Sequence, residues 1–220
     1  MLRPFIWQFN LDTQVTPCWM QPEAQALAAQ PDRLAGHYEQ RFFWGEHETI
    51  KLKGFDLTSL WLSSYEFETR QDSYVMLESK ENIKLRKKKL HIKPKLHCSE
   101  QVNFYGDKQK FHLIKQASEV SKRLALPQLL HLQDIEQIKQ EMRQHLVIKD
   151  VYKESLLLSF APHLPMSIEF SRLKIDNNIS HSFVIEANTK ELIIYLRQQM
   201  ALPLSHTRDY VAFLEEGGGC

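Results

Sequence analysis

Apolar and polar residues alternate between Ile83 and His97. Ile83 and Leu85 alternate with Lys84 and Arg86. Beyond a polar link, Leu90, Ile92 and Leu96 alternate with His91, Lys93, Lys95 and His97. Period-two alternation marks half-buried strands, and two such runs about a short link predict a β-hairpin. One of its faces is apolar and the other is cationic. The link, Lys87-Lys88-Lys89, sits at the turn and reads as a solvated charge run.

The same period appears late in the chain. Glu169 faces opposite to Ile168 and Phe170, and Glu186 opposite to Phe183 and Ile185. Lys149, Val151, Lys153 and Ser155 share one face of a run over 147–160. Further strands are predicted over His37–Trp44, Glu48–Lys53, Leu60–Leu77 (one bent strand or two), Ser167–Ile175 and His181–Glu186. Asn103–Phe111 reads as a loop or short strand. Helical spacing occurs over His112–Leu126 and over Asp134–Leu146, where Ile135, Ile138, Met142 and Leu146 form one apolar face. Asp134 suits an N-cap, and Asn188 with Glu191 resembles a capping box opening a helix that Pro203 ends. A last short helix is expected over Arg208–Glu215.

Strands with apolar residues on one side and charges on the other fit an antiparallel sheet with one wet face. They also fit a barrel with a charged interior, and that option accounts for helices with apolar faces to cover the outside. The fold expected is α+β: a closed or nearly closed antiparallel β-barrel, or tunnel, with helices packed outside. Residues 37–215 form that domain. Residues 1–36, in which Pro22 opens a short helix ended by Pro31-Asp32, are an extension packing on it, and 216–220 form a flexible tail.

Composition narrows the function. Hydrophobic residues are 43% and charged residues 25% of 220, and the net charge is +1. Basic residues gathered in one hairpin of a near-neutral chain favour a local polyanion site over a global field for nucleic acid. Cys18, Cys98 and Cys220 are far apart and odd in number, which suits no disulfide framework and points to a reducing, cytoplasmic setting. No apolar run is long enough for a membrane span, and no signal-peptide core opens the chain. No His/Cys set has zinc spacing.

In their order, several short motifs resemble the CYTH family, the triphosphate tunnel metalloenzymes. Arg70-Gln-Asp-Ser-Tyr-Val looks like its Asp-x-Tyr strand, Lys84-Leu-Arg86 like its basic strand, and Leu90-His-Ile-Lys93-Pro-Lys95 like the lysine strand paired with it. Ser167-Ile-Glu169-Phe and Ser182-Phe-Val-Ile-Glu186 resemble strands carrying inner acids. Asp209-Tyr210-Val-Ala-Phe-Leu214 resembles the terminal helix. The family's Glu-x-Glu-x-Lys motif falls at His37-x-Glu39-x-Arg41, where His replaces the first Glu. Ser171 and Val184 stand where further acids are expected.

The resemblance implies metal-dependent hydrolysis of a triphosphate compound, inorganic or organic, inside a charged tunnel. Arg41, Lys84, Arg86, Lys93, Lys95 and Lys153 would bind phosphate. Glu39, Glu169 and Glu186 would be the catalytic acids and hold Mg²⁺ or Mn²⁺, ions that take carboxylate oxygens. Asp72 and Tyr74 read as structural. Two alternatives stay open. A tunnel with fewer acids could bind polyphosphate or a nucleotide without turnover. A nucleic-acid module could use the basic hairpin, although base stacking wants aromatics beside the cations and the neighbours here are aliphatic.

Overall fold

A computed structural model describes residues 8–30, 35–160 and 164–218. The expected stop at Pro31-Asp32, the start of the extension and the last two residues of the expected tail lie outside them. The element order is β1 (Phe9–Thr13), α1 (Pro22–Ala28), β2 (His37–Gly45), β3 (Ile50–Phe55), β4 (Glu66–Met76), β5 (Asn82–Arg86), β6 (Lys89–Lys93), β7 (Lys95–Ser99), β8 (Val102–Tyr105) and β9 (Gln109–His112). Then follow α2 (Ala117–Leu124), α3 (Ile135–His145), β10 (Val147–Ser159), β11 (Met166–Ile175), β12 (Asn178–Ala187), α4 (Lys190–Gln199) and α5 (Tyr210–Glu215).

Ten strands form one antiparallel sheet in the order β7-β8-β2-β12-β11-β10-β4-β5-β6-β9. It curls through 277° and does not close, so of the closed or nearly closed barrel expected, the structure has a curled, open one. The sheet ends at β7 on one side and β9 on the other, yet Lys93-Pro94-Lys95 runs directly from β6 into β7. One stretch of chain therefore pairs near both ends of the sheet. Pro94 stands at the change of partner, where its missing N–H costs no ladder bond.

Period-two alternation serves both walls. On β2, Tyr38, Phe42 and Trp44 point outward into a core with Phe170, Phe183 and Ile185, which α1, α4 and β1 cover. Beneath the hairpin, Ile83, Leu85, Leu90 and Ile92 pack on Val120, Leu124, Ile138 and Met142 of α2 and α3. A third cluster lies inside the curl. Phe43, Tyr74, Val151, Leu173 and Ile175 of the strands meet Tyr210, Phe213 and Leu214 of α5. Phe43 stacks on Phe213 with ring centroids 3.8 Å apart. The last helix thus plugs one end of the lumen.

The hairpin forms, with β5 and β6 joined at Lys87-Lys88 and Lys87 in the left-handed region at φ 54°, but its second arm stops at Lys93: Lys95–Ser99 is a separate strand paired with β8, and Leu96 is exposed. Leu60–Leu77 holds a single strand, β4, and 3-10 turns over Leu57–Leu60 and Leu62–Ser64 precede it. The capping box at the first of these belongs to Asp56 and Ser59. Asp134 caps α3, accepting from the Glu136 and Gln137 backbone N–H groups. The α4 cap is Thr189 and not Asn188, because its hydroxyl reaches the Leu192 N–H. β1, which is not among the strands predicted from sequence, alternates Phe9 and Leu11 with Asn10 and Asp12 and pairs in parallel with β3. Gly54 on β3 sits at φ 82°, and a Cβ there would come 2.9 Å from Cys18 Cβ, so a glycine lets the 3-10 turn at Cys18–Met20 close on β3. At the other end, the Ser180 hydroxyl donates to the Gly218 carbonyl and holds the chain against β12. No described helix is long and apolar enough to cross a membrane.

Phe170 is fully buried among Phe9, Phe55, Tyr65 and Phe183. Phe170→Ala should lower the unfolding free energy by about 3–5 kcal/mol in urea denaturation. A loss below about 1 kcal/mol would show that this cluster does not anchor the outer core.

Candidate active site

From plug to mouth, the inner wall changes from apolar to charged. β2 carries Phe43, Arg41, Glu39 and His37 in turn. β4 carries Tyr74, Asp72 and Arg70, and β11 carries Ile175, Leu173, Ser171 and Glu169. Residues two apart share a face, so each strand lays a short charged row in the lumen. Thirteen described residues line a cavity of about 100 Å³ there: Glu39, Arg41, Arg70, Tyr74, Asn82, Lys84, His91, Lys93, Lys108, Lys153, Glu169, Glu186 and Tyr210. Six are Lys or Arg and three are Glu, so the wall carries an excess of positive charge.

These charges pair across the lumen. Lys93 donates to Glu39 and lies 3.6 Å from Glu186. Arg41 donates from Nε to Glu39 at 3.3 Å, lies 3.6 Å from Glu169 and sits over the Tyr210 ring. Lys153 donates to Glu169, which also accepts from the Ser171 hydroxyl at 3.2 Å. Asp72 is the second hub. It takes Arg86 at 2.6 and 2.8 Å and Lys84 at 3.1 Å, with Arg70 3.4 Å away.

The sequence-predicted residues divide accordingly. Glu39, Arg41, Lys84, Lys93, Lys153, Glu169 and Glu186 converge on the cavity. Arg86 does not line it and is held by Asp72, with Glu68 4.0 Å away. Lys95 is also absent from the wall. It pairs with Asp209, the N-cap of α5, at 2.9 Å. In a straight strand Lys93 and Lys95 would share a face; the change of partner at Pro94 separates them. Arg70, Lys108, Tyr74 and Tyr210 line the cavity without having been singled out as ligands. Arg70 was legible as the residue two before Asp72 on the same face. Lys108 comes from the loop between β8 and β9, where no periodicity points to it.

Burial and neighbouring charges set the protonation states. Burial opposes ionisation of Glu39, but Lys93 and Arg41 outweigh it and hold the carboxyl well below its ordinary range. Glu169 is likewise held down at about 2 by Lys153 and Arg41 against burial. Glu186 moves upward, because burial and the nearby Glu39 charge outweigh Lys93. Burial lowers Lys84 to about 7 and Lys153 to about 8, with Asp72 and Glu169 only partly restoring the charge. Burial, and then Lys93, lower His37 to about 4, leaving its ring neutral at pH 7. The Tyr210 hydroxyl is buried, and although Tyr74 approaches it the geometry makes no hydrogen bond.

Chemically, this is an enclosed cation-rich wall with one place for a metal ion. Among the described residues, His37, Glu39 and Glu186 bring ligand atoms within 4.8 Å of one another. Glu39 and Glu186 are cross-strand partners, and His37 is two residues from Glu39 on the same face. Glu169 stays apart from that group, drawn to Lys153.

No protein-family profile matches the chain, and no curated protein matches it. Two solved structures are similar. One, from Bacillus halodurans, is described as a candidate adenylate cyclase. It is 8% identical, with a TM-score of 0.44, over 81% of this chain and 96% of that one. The other, from Hippeastrum, is described as a candidate adenylyl cyclase with a dominant triphosphatase activity. It is 15% identical, with a TM-score of 0.35, over 90% of this chain and 91% of that one. Likenesses this distant leave the site to be read from its own residues.

Two measurements test the electrostatics. Asp72→Asn leaves Arg86, Lys84 and Arg70 without their shared counter-charge, and should cost about 3–5 kcal/mol in urea denaturation. Lys84 and Lys153 hold protons less tightly folded (about 7 and 8) than at the ordinary 10.5 of an unfolded chain. The unfolded chain therefore binds more protons across that window, and stability should rise as pH increases from 7 towards 10. Glu169, near 2 instead of 4.5, adds stability present above pH 4.5 and lost as pH falls towards 2. Urea midpoints should follow both limbs, and Lys84→Met should flatten the alkaline one. An unchanged slope in that variant would contradict the assignment.

Proposed function

We propose that this chain hydrolyses a triphosphate compound with a divalent metal ion, inside the lumen of its curled sheet. The observation that carries the reading is the convergence of six Lys and Arg side chains with three glutamates in one enclosed cavity. An excess of buried cations calls for a polyanion, and carboxylates beside them suit a metal ion that travels with phosphate. The order of the lumen motifs, which resembles that of the CYTH family, supports the same choice. Residues 37–215 are taken as the tunnel domain and 1–36 as its extension.

Arg41, Arg70, Lys84, Lys93, Lys108 and Lys153 would bind phosphate oxygens, with Arg41 and Arg70 able to grip two at once. Arg86 would act through Asp72 by fixing Lys84. Glu39 and Glu186 would hold Mg²⁺ or Mn²⁺, whose bound charge shields the phosphoryl oxygens and helps orient water. In the lumen, water forms the new bond to the terminal phosphorus while the bridging P–O bond breaks, giving orthophosphate and the shortened phosphate chain. No side-chain nucleophile is required. The proton that water gives up would pass to a phosphate oxygen of the product, so that Glu39 and Glu186 stay ionised for the ion. Glu169 keeps Lys153 and Arg41 in place.

One observation favours a second reading, a tunnel that binds without turnover. Glu169 is engaged by Lys153, and Glu39 by Lys93 and Arg41, so an ion must displace a cation already on the wall. Phosphate release from tripolyphosphate, ATP and thiamine triphosphate, with Mg²⁺ or Mn²⁺, separates the two. Turnover with at least one of them, lost in Glu186→Gln while the melting temperature holds, is the expected result. Binding of tripolyphosphate with no release under any condition would favour the second reading. No affinity for any of the three would end both.

A further inference from the structure

We propose that His37, Glu39 and Glu186 form a mixed imidazole–carboxylate ion site that prefers a first-row transition ion over Mg²⁺. We also propose that the Lys93 ammonium occupies this place when no ion is bound. The inference rests on the reading of the lumen as a place for a metal ion together with a polyanion, and adds which ion it selects.

Three observations converge. The first is the donor set. Ligand atoms of His37, Glu39 and Glu186 lie within 4.8 Å of one another. Neighbouring donors on one ion, at bonds of about 2.1 Å, stand about 3 Å apart. Side-chain movements of up to about 2 Å would therefore seat an ion. One nitrogen in an otherwise oxygen set changes the selectivity. Mg²⁺ favours oxygen donors and keeps its waters, whereas imidazole favours transition ions in the order Mn²⁺ below Co²⁺.

The second observation is how rigidly the set is held. Glu39 and Glu186 face each other across β2 and β12, and His37 shares the Glu39 face. The His37 ring stacks on Tyr105 at a centroid distance of 6.1 Å. The third is the present occupant. Lys93 Nζ donates to Glu39, lies 3.6 Å from Glu186 and stands 4.2 Å over the same Tyr105 ring. A positive charge already fills the space between the two carboxylates. An incoming ion must displace it, and the freed ammonium remains in a cavity that also holds the buried, unpartnered Tyr210 hydroxyl. Lys93 is thus placed to pass from a carboxylate pair to an anion.

The test is metal binding by the full chain without any phosphate ligand, measured by isothermal titration with Co²⁺, Mn²⁺ and Mg²⁺. The expected order of affinity is Co²⁺, then Mn²⁺, then Mg²⁺. His37→Gln should reduce the Co²⁺-to-Mg²⁺ affinity ratio by roughly tenfold or more, the scale on which metal sites respond to losing a supporting group. Lys93→Met should tighten binding of all three ions by removing the tethered competitor. In the wild-type chain, sub-stoichiometric Mn²⁺ should broaden the His37 ring resonances, a readout that needs no variant to fold. Mg²⁺ binding as tightly as Co²⁺, an unchanged ratio in His37→Gln, weaker binding in Lys93→Met, or His37 resonances left sharp would each overturn the proposal. The selectivity can hold while no triphosphate is hydrolysed, and hydrolysis can proceed with the ratio unmoved. The two readings therefore fail separately.

Discussion

Unlike charges from neighbouring strands, and from strands near opposite ends of the sheet, meet inside a curled sheet, where most of them are buried or nearly so. Lys93 on β6 reaches Glu39 on β2, Lys153 on β10 reaches Glu169 on β11, and Lys84 and Arg86 on β5 reach Asp72 on β4. An isolated charge in such a place costs several kcal/mol, so each member depends on its partners. The pairing holds the wall in register, and it leaves an uncompensated positive surplus facing the cavity. The same interactions make the lumen tolerable to fold and leave its wall rich in cations.

The surrounding architecture serves that interior. Two apolar cores lie outside the sheet, one under α1 and α4 and one under α2 and α3, while α5 seals the lumen with Phe213 and Leu214. Where the outer cores and α5 cover both faces of the strands, the charged rows at Glu39, Arg41, Asp72 and Lys153 are buried. A reduced local dielectric strengthens each contact among them. The hydrogen-bonded sheet stays open, but the chain bridges its two ends at Pro94. That continuity brings Lys93, near one end of the strand order, within reach of Glu39 on β2.

The pairs are also exchangeable. The paired lumen carboxylates hold cations that a polyanion could take, and those cations hold carboxylates that a metal ion could take. An anion entering alone would leave glutamates beside phosphate, and a metal entering alone would leave lysines beside metal. Entering together, the two satisfy every group, which gives a physical reason for acids and bases to share one wall.

The hairpin, with aliphatics at 83, 85, 90 and 92 against cations between them, was legible because a strand sorts alternate side chains to opposite faces whatever its surroundings. Glu169 and Glu186 were legible in the same way, as was the N-cap at Asp134. Periodicity assigns a residue to a face but does not say which strands become neighbours. The diversion of Lys95 to Asp209, the arrival of Lys108 from a loop and the plugging by α5 all depend on pairings between distant segments, and the hub at Asp72 on the register of β4 against β5. His37 reads in sequence as a lost glutamate. Only the register of β2 against β12, which sets Glu186 opposite Glu39, makes it a candidate ligand. Faces are a local property of the backbone, and so the chain alone determined them. The meeting of faces is a property of the packed sheet, and tertiary structure decided it.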